Sequence, residues 1–196
     1  MWVERLRAEF EIDVEWRPFE LHPEIPPEGR DTSGRSAERR AGYYHHLRAL
    51  AEEEGLTFNP STWVPNSHRP LEAAEFAREH GTYDAYHRAL FDAYFGRGEN
   101  IGDLDVLAHL AEAAGLDPAA LREALESKRY APAVDERTEE ARQSGIASTP
   151  TFIFQSGERT LPIVGAQDYN VFQSVAQRMG AKRRTEIQEP RPGAAL

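Results

Sequence analysis

Cysteine is absent from all 196 residues of the chain. Its absence excludes disulfides, thiolate nucleophiles, cysteine-ligated zinc and iron–sulfur clusters within this sequence. No apolar run approaches the ~20 residues that span a bilayer, so no membrane partner is expected. Met1-Trp-Val-Glu-Arg does not read as a secretory signal, and a cytoplasmic location follows by default. Positive charge is scarce as well: 23 Lys and Arg against 33 Asp and Glu give a net charge of −10. Nucleic-acid binding requires a basic footprint that displaces counterions, so no nucleic-acid partner is expected. The acidic balance reads as surface solubility.

Several constellations that carry chemistry are missing too. His45 and His46 are adjacent, which on a helix points them about 100° apart. His80 and His87 fall on different predicted helices, and no HExxH spacing occurs. No metal and no cofactor are therefore expected. The glycine-containing loop from Gly96 to Gly102 follows a helix and lacks the spacing of a dinucleotide fingerprint. Ser148 and Thr149 sit in no nucleophile elbow, so no catalytic residue is assigned in this chain.

What the sequence does hold is a stretch near its C-terminal end, Gly145-Ile-Ala-Ser-Thr-Pro-Thr-Phe-Ile-Phe154. A helix running from about residue 132 stops at Gly145, and Thr149-Pro150 leads into an apolar run that reads as a strand buried on both faces. On local grounds alone, Pro150 is read as an ordinary trans proline entering a strand. A second strand from Thr160 to Val164 forms a hairpin with the first, followed by a helix from Tyr169 to Met179. Upstream, Trp2 to Phe10 shows helical spacing, and Ile12-Asp-Val-Glu-Trp16 alternates like a half-buried strand. Between them lie five predicted helices, including one opened by Asp117-Pro118 as N-cap and first helical residue. The aromatics Tyr83, Tyr86, Phe91, Tyr94 and Phe95 read as core. Strands at both ends and helices between them predict an α/β domain interrupted by a helical insertion.

These residues resemble the DsbA-like thioredoxin-fold family, in its cytoplasmic branch of polyketide-associated and uncharacterised oxidoreductases. The resemblance rests on Val14-Glu-Trp-Arg-Pro-Phe-Glu-Leu-His-Pro23 with Pro26-Pro-Glu-Gly29, Asn66-Ser-His-Arg-Pro70, Ala89-Leu-Phe-Asp-Ala-Tyr-Phe95, Gly145 to Phe152, and Gly165-Ala-Gln167. It covers residues 2 to 180 in order. It implies an α/β thioredoxin-like fold with an inserted helical domain: residues 1–35 and 131–182 as core, 36–130 as insertion, 183–196 as a disordered tail. It also implies that Pro150 is cis, and that Thr149, Pro150, Gly165, Ala166, Gln167 and the loop residue His22 lie at a substrate-binding site. The implied function is thiol–disulfide exchange on a thiol- or disulfide-bearing protein or small molecule, glutathione included.

Redox members of that family carry Cys-x-x-Cys at the N-terminus of their first helix, where the helix dipole stabilises a thiolate. This sequence opens inside that helix. It is therefore read as N-terminally truncated, redox-inactive alone, and missing the strand that pairs with both Ile12–Trp16 and Thr151–Phe154. Two other readings stay open: a glutathione-dependent isomerase or transferase of the related thioredoxin-fold group, and a non-catalytic peptide-binding module. Oligomeric state is not legible. The expectation of an upstream start predicts that the protein from its own cells has an intact mass a few kilodaltons above 22.1 kDa. A mass equal to 22.1 kDa would refute it.

Overall fold

The structure is a computed structural model that describes residues 2–34, 37–59 and 61–184. Residues 185–196, most of the predicted tail, lie outside the described residues, as does the side chain of His46. The chain divides into two compact units, residues 1–16 with 148–196, and residues 17–147.

The first unit contains α1 (Trp2–Glu9), a hairpin of β3 (Thr151–Ser156) and β4 (Arg159–Val164), and α8 (Tyr169–Arg178). Strand numbering follows the chain; β1 and β2 belong to the second unit. Gly157 takes φ +59° at the first of the two turn positions, where two-residue hairpins of type II′ place glycine. The turn sets the register: Ser156 faces Arg159, Phe154 faces Leu161, and Phe152 faces Ile163. Strand alternation then puts Phe152 and Phe154 on one face, with ring centroids 4.8 and 6.3 Å from that of Phe172 on α8. Trp2 of α1 approaches the same ring at 5.8 Å. Leu6, Phe10, Ile163, Phe172 and Ala176 are buried and form the core. Tyr169 and Gln173 of α8 donate to the carboxylate of Glu9, fixing α1 against α8.

Two sequence expectations fail here. Residues 12–16 alternate apolar and polar but form no strand. Alternation provides a burial pattern, whereas a strand also requires a neighbouring backbone in register; the Glu11 and Ile12 amides instead donate to Lys182 O and Phe10 O. β3 is also not buried on both faces, since Ile153 on the side away from Phe172 is 48% exposed.

The second unit is helical: α2 (Ala37–Glu53), α3 (His68–Glu79), α4 (Tyr83–Phe91), α5 (Leu104–Ala113), α6 (Pro118–Glu126) and α7 (Ala131–Gln143). The Asp103 and Asp117 carboxylates accept from the Asp105 and Ala119 amides and cap α5 and α6. α3 starts at His68, ahead of Pro70, because a proline fits a first helical turn without loss of a hydrogen bond. The core gathers Phe76, Tyr86, Leu90, Leu107, Leu110 and Leu121 among others; Tyr86 donates its hydroxyl to Leu107 O at 3.1 Å, so its burial leaves no polar atom unmet. α4 runs on into a π-helical turn, Asp92–Gly96. Beside it the aromatics are not all core. Phe91 is 53% exposed, and rings from Tyr83 through His87, Phe91 and Phe95 to Phe58 follow one another at 4.6–6.3 Å along the surface.

A short antiparallel pair that sequence periodicity cannot detect, β1 (Arg30–Asp31) with β2 (Trp63–Val64), ties the proline-rich loop to the helices. It depends on a close approach. A Cβ at Gly29 would stand 2.5 Å from Trp63 Nε1, and Gly29 has φ +90°.

The first unit's packing makes Phe172 its central contact. Phe172→Ala is expected to destabilise the protein by about 3–5 kcal/mol, read as a lower urea midpoint with an unchanged slope.

Candidate functional site

Chain and ladder geometry bring five of the six sequence-predicted site residues together. In the β3–β4 hairpin, Phe152 with Ile163 and Phe154 with Leu161 exchange the ladder bonds. The next such position back joins Pro150 to Gly165, whose amide donates to Pro150 O at 2.8 Å. That bond brings Pro150 and Gly165 together at the end of the hairpin, with Thr149 preceding the one and Ala166-Gln167 following the other. Thr151 Oγ1 donates to Ser148 O at 2.7 Å, and Gln167 Nε2 donates to Val164 O at 3.1 Å, so each segment is also held within itself. Thr149, Pro150, Ala166 and Gln167 are exposed. The Thr149–Pro150 peptide bond is cis, and not the trans bond that local sequence favours.

His22 belongs to the other unit. Its ring is exposed, and Nδ1 lies 3.1 Å from Glu24 Oε1. In that second unit, Phe19, Leu21, Arg142, Gly145, Ile146 and Ala147 line an open pocket of about 380 Å³. Arg142 donates to Glu20 O at 3.1 Å, which spends part of its guanidinium on the backbone.

Sequence reasoning noted Asn66-Ser-His-Arg-Pro70 without assigning it a role, and overlooked the cluster that it builds. Asn66 Nδ2 donates to Ile25 O at 2.7 Å while its Oδ1 accepts from the His68 amide. His68 Nδ1 then faces Glu20 Oε2 at 3.2 Å, and Nε2 faces Glu72 Oε1 at 3.6 Å. Asp135 of α7 stands 4.0 Å away. Glu20 and Glu72 are buried, and Glu72 Oε2 has no hydrogen-bond partner among the described residues. The legible signal was the helical i, i+4 spacing of His68 and Glu72. Their partner Glu20 is 48 residues upstream of His68, a separation that no local pattern reveals. Among the described residues no group of three or more His, Asp or Glu is disposed to hold a metal ion, and none of the helices is long and apolar enough to cross a membrane.

Comparisons with known proteins bear on the fold that carries these segments. The DSBA-like thioredoxin domain family matches residues 2–177. The chain belongs to that family. It is 32% identical over 166 residues to the uncharacterized protein YwbO of Bacillus subtilis (strain 168), covering 83% of this chain and 80% of that protein. Its fold is similar to the crystal structure of a probable DsbA oxidoreductase from Streptomyces coelicolor. That match has a TM-score of 0.78 and 25% identity, and covers 100% of this chain and 90% of that one. The α/β thioredoxin-like fold expected from sequence is thereby shown. Membership carries the thiol–disulfide oxidoreductase character of the family, but exchange proceeds by thiolate attack on a disulfide sulfur. With no cysteine in the sequence, this chain supplies no such atom and is redox-inactive by itself.

The buried carboxyl of Glu72 gives a pH prediction. Burial raises its pKa above 4.5, with His68, Arg69 and Lys128 opposing the rise and Asp135 adding to it. A carboxyl with a raised folded pKa binds its proton more tightly when folded. Its contribution to stability is complete below pH 4.5 and is lost as pH climbs through the raised value. Glu72→Gln, which cannot ionise, is expected to remove that decline. Urea midpoints of wild type and variant should therefore diverge as pH rises above 4.5. Parallel profiles would refute the assignment.

Proposed function

We propose that this chain is the substrate-docking part of a DsbA-like thiol–disulfide oxidoreductase. In this reading Thr149, Pro150, Gly165, Ala166 and Gln167 receive an extended segment of a thiol- or disulfide-bearing substrate, and the chain contributes no sulfur chemistry. The observation that carries it is the Gly165 N–H to Pro150 O bond, which brings the exposed Thr149–Pro150 turn to the start of residues 165–167 within a family-matched fold. Exposed backbone at the end of a strand is suited to an extended partner, because main-chain hydrogen bonds hold such a segment whatever its sequence.

The substrate class is a protein or small molecule bearing a thiol or disulfide, with glutathione among the small ones. A cytoplasmic setting belongs to the same proposal and rests on the likeness to the cytoplasmic branch. So does the division into residues 1–35 and 131–182 as thioredoxin-like core with 36–130 inserted, whose boundaries differ from the compact units, since residues 17–35 and 131–147 group with the helices. His22, fixed to Glu24 at the surface, is given a loop-stabilising role.

Two measurements test the reading. In a dithiol-reduction assay the chain should give no turnover above a no-protein control. In an NMR titration with a cysteine-containing decapeptide, the amide signals of Thr149, Thr151 and residues 165–167 should shift. Ala166→Arg, at an exposed position, should weaken that binding about tenfold, or ~1.4 kcal/mol. Turnover above the control, or shifts confined to other residues, would overturn the proposal.

A further inference from the structure

Glu20, His68 and Glu72 form a chain of three titratable groups inside the second unit. Nδ1 of His68 meets Glu20 Oε2 at 3.2 Å, and Nε2 meets Glu72 Oε1 at 3.6 Å. A proton in each contact makes it attractive; without one, two lone pairs face each other. Two protons therefore satisfy the chain, in either of two arrangements. The imidazole is doubly protonated between two carboxylates, or it donates from Nδ1 to Glu20 while a protonated Glu72 faces Nε2. With one proton, a contact stays unmet between buried glutamates, where water does not replace it. The charges around the chain are mixed. Asp135 of α7 stands 4.0 Å from Nδ1, Arg69 and Lys128 act on Glu72, and Arg142 donates to the Glu20 carbonyl.

We propose that this chain of groups is a pH-operated pin, which fastens residues 17–24 to α3 while it holds two protons and releases them when one leaves. This goes beyond the docking function and does not rest on it. The titration belongs to the three groups together and not to one of them. Burial raises the pKa of Glu72 above 4.5, which favours keeping the second proton to milder pH. Once it leaves, Glu20, Glu72 and Asp135 share an imidazole that has one N–H to give. Glu72 and Asp135 are fixed on helices, whereas Glu20 lies in an irregular loop. Glu20 is therefore the member that moves, and its carboxylate gains hydration by moving. The released stretch has a defined end. Asn66 Nδ2 holds Ile25 O, and β2 holds Arg30 and Asp31, by bonds in which no titratable group takes part. His22 lies inside that stretch.

Amide hydrogen exchange of the full chain, followed by NMR from about pH 5 to 8 and corrected for the intrinsic pH dependence of exchange, tests this. The Glu20 amide donates to Thr138 Oγ1 and reports on the loop. Its protection should fall about tenfold across that range. The Leu107 amide, bonded to Asp103 O at 3.1 Å, reports on the helical core and should stay constant. Glu20→Gln and Glu72→Gln each put a permanent N–H at one end of the chain, so a neutral imidazole completes both contacts. Both variants should keep the position-20 amide protected at pH 8, with Leu107 protection showing that they are folded. His68→Phe removes the pin and should leave that amide weakly protected at every pH. Wild-type protection that does not change with pH would overturn the proposal, as would a pH dependence that persists in both glutamine variants. A loss at Glu20 matched by an equal loss at Leu107 would mark global unfolding, and would overturn it too.

Discussion

Backbone N–H and C=O groups must find partners when they leave water, and in the first unit that demand decides which segments become strands. β3 and β4 satisfy each other through a two-residue turn whose register fixes everything downstream of it. From that register come the side on which Phe152 and Phe154 meet Phe172, the position at which Pro162 is harmless, and the bond that joins Gly165 to Pro150. Residues 12–16 have the side chains of a strand and lack the neighbour, and they remain irregular. The family's chemistry and this chain's sheet thus meet at the same place. The ladder joins Pro150 to Gly165 at one end of β3, and the sequence holds no cysteine.

The second unit obeys a different constraint. Its helices bury a conventional apolar core, and a partly buried polar cluster adjoins the loop that carries Glu20. Asn66 pins the loop at Ile25, His68 sits between Glu20 and Glu72, and Thr138 Oγ1 accepts from the Glu20 amide at 3.1 Å. The loop around Glu20 is therefore held by α3 and α7 together, through groups that would be expensive to leave unpaired. Such a cluster gives a proline-rich segment one fixed path where packing alone would leave it several.

Much of this was legible from residues. Asp117-Pro118 marked a helix start, and the run from Thr160 to Val164 was legible as the second strand of a hairpin. The ordered motifs from Val14 to Gln167 pointed to the family that the match over residues 2–177 shows. The misses share a cause: each depends on something distant in the chain. The sequence of residues 12–16 does not reveal whether a neighbouring strand is present. The exposure of Ile153 and Phe91 depends on what covers them, and periodicity cannot report that. The partnership of Glu20 with His68 and the β1–β2 pair are long-range contacts made by short or irregular segments, where no periodic signal exists. Pro150 and Gly165 were singled out through resemblance, and their adjacency follows from one ladder bond across the hairpin.

The fit of Gly29 against Trp63 has a consequence for how this protein can change. Any side chain at 29 would collide with the indole at 2.5 Å while also resisting a backbone angle of +90°. The indole in turn lies at the start of β2, so shrinking it would empty the space beside the small sheet. Neither position can drift alone. In divergent relatives a residue other than glycine at 29 should travel with a smaller one at 63, and the two sites act as one unit of inheritance.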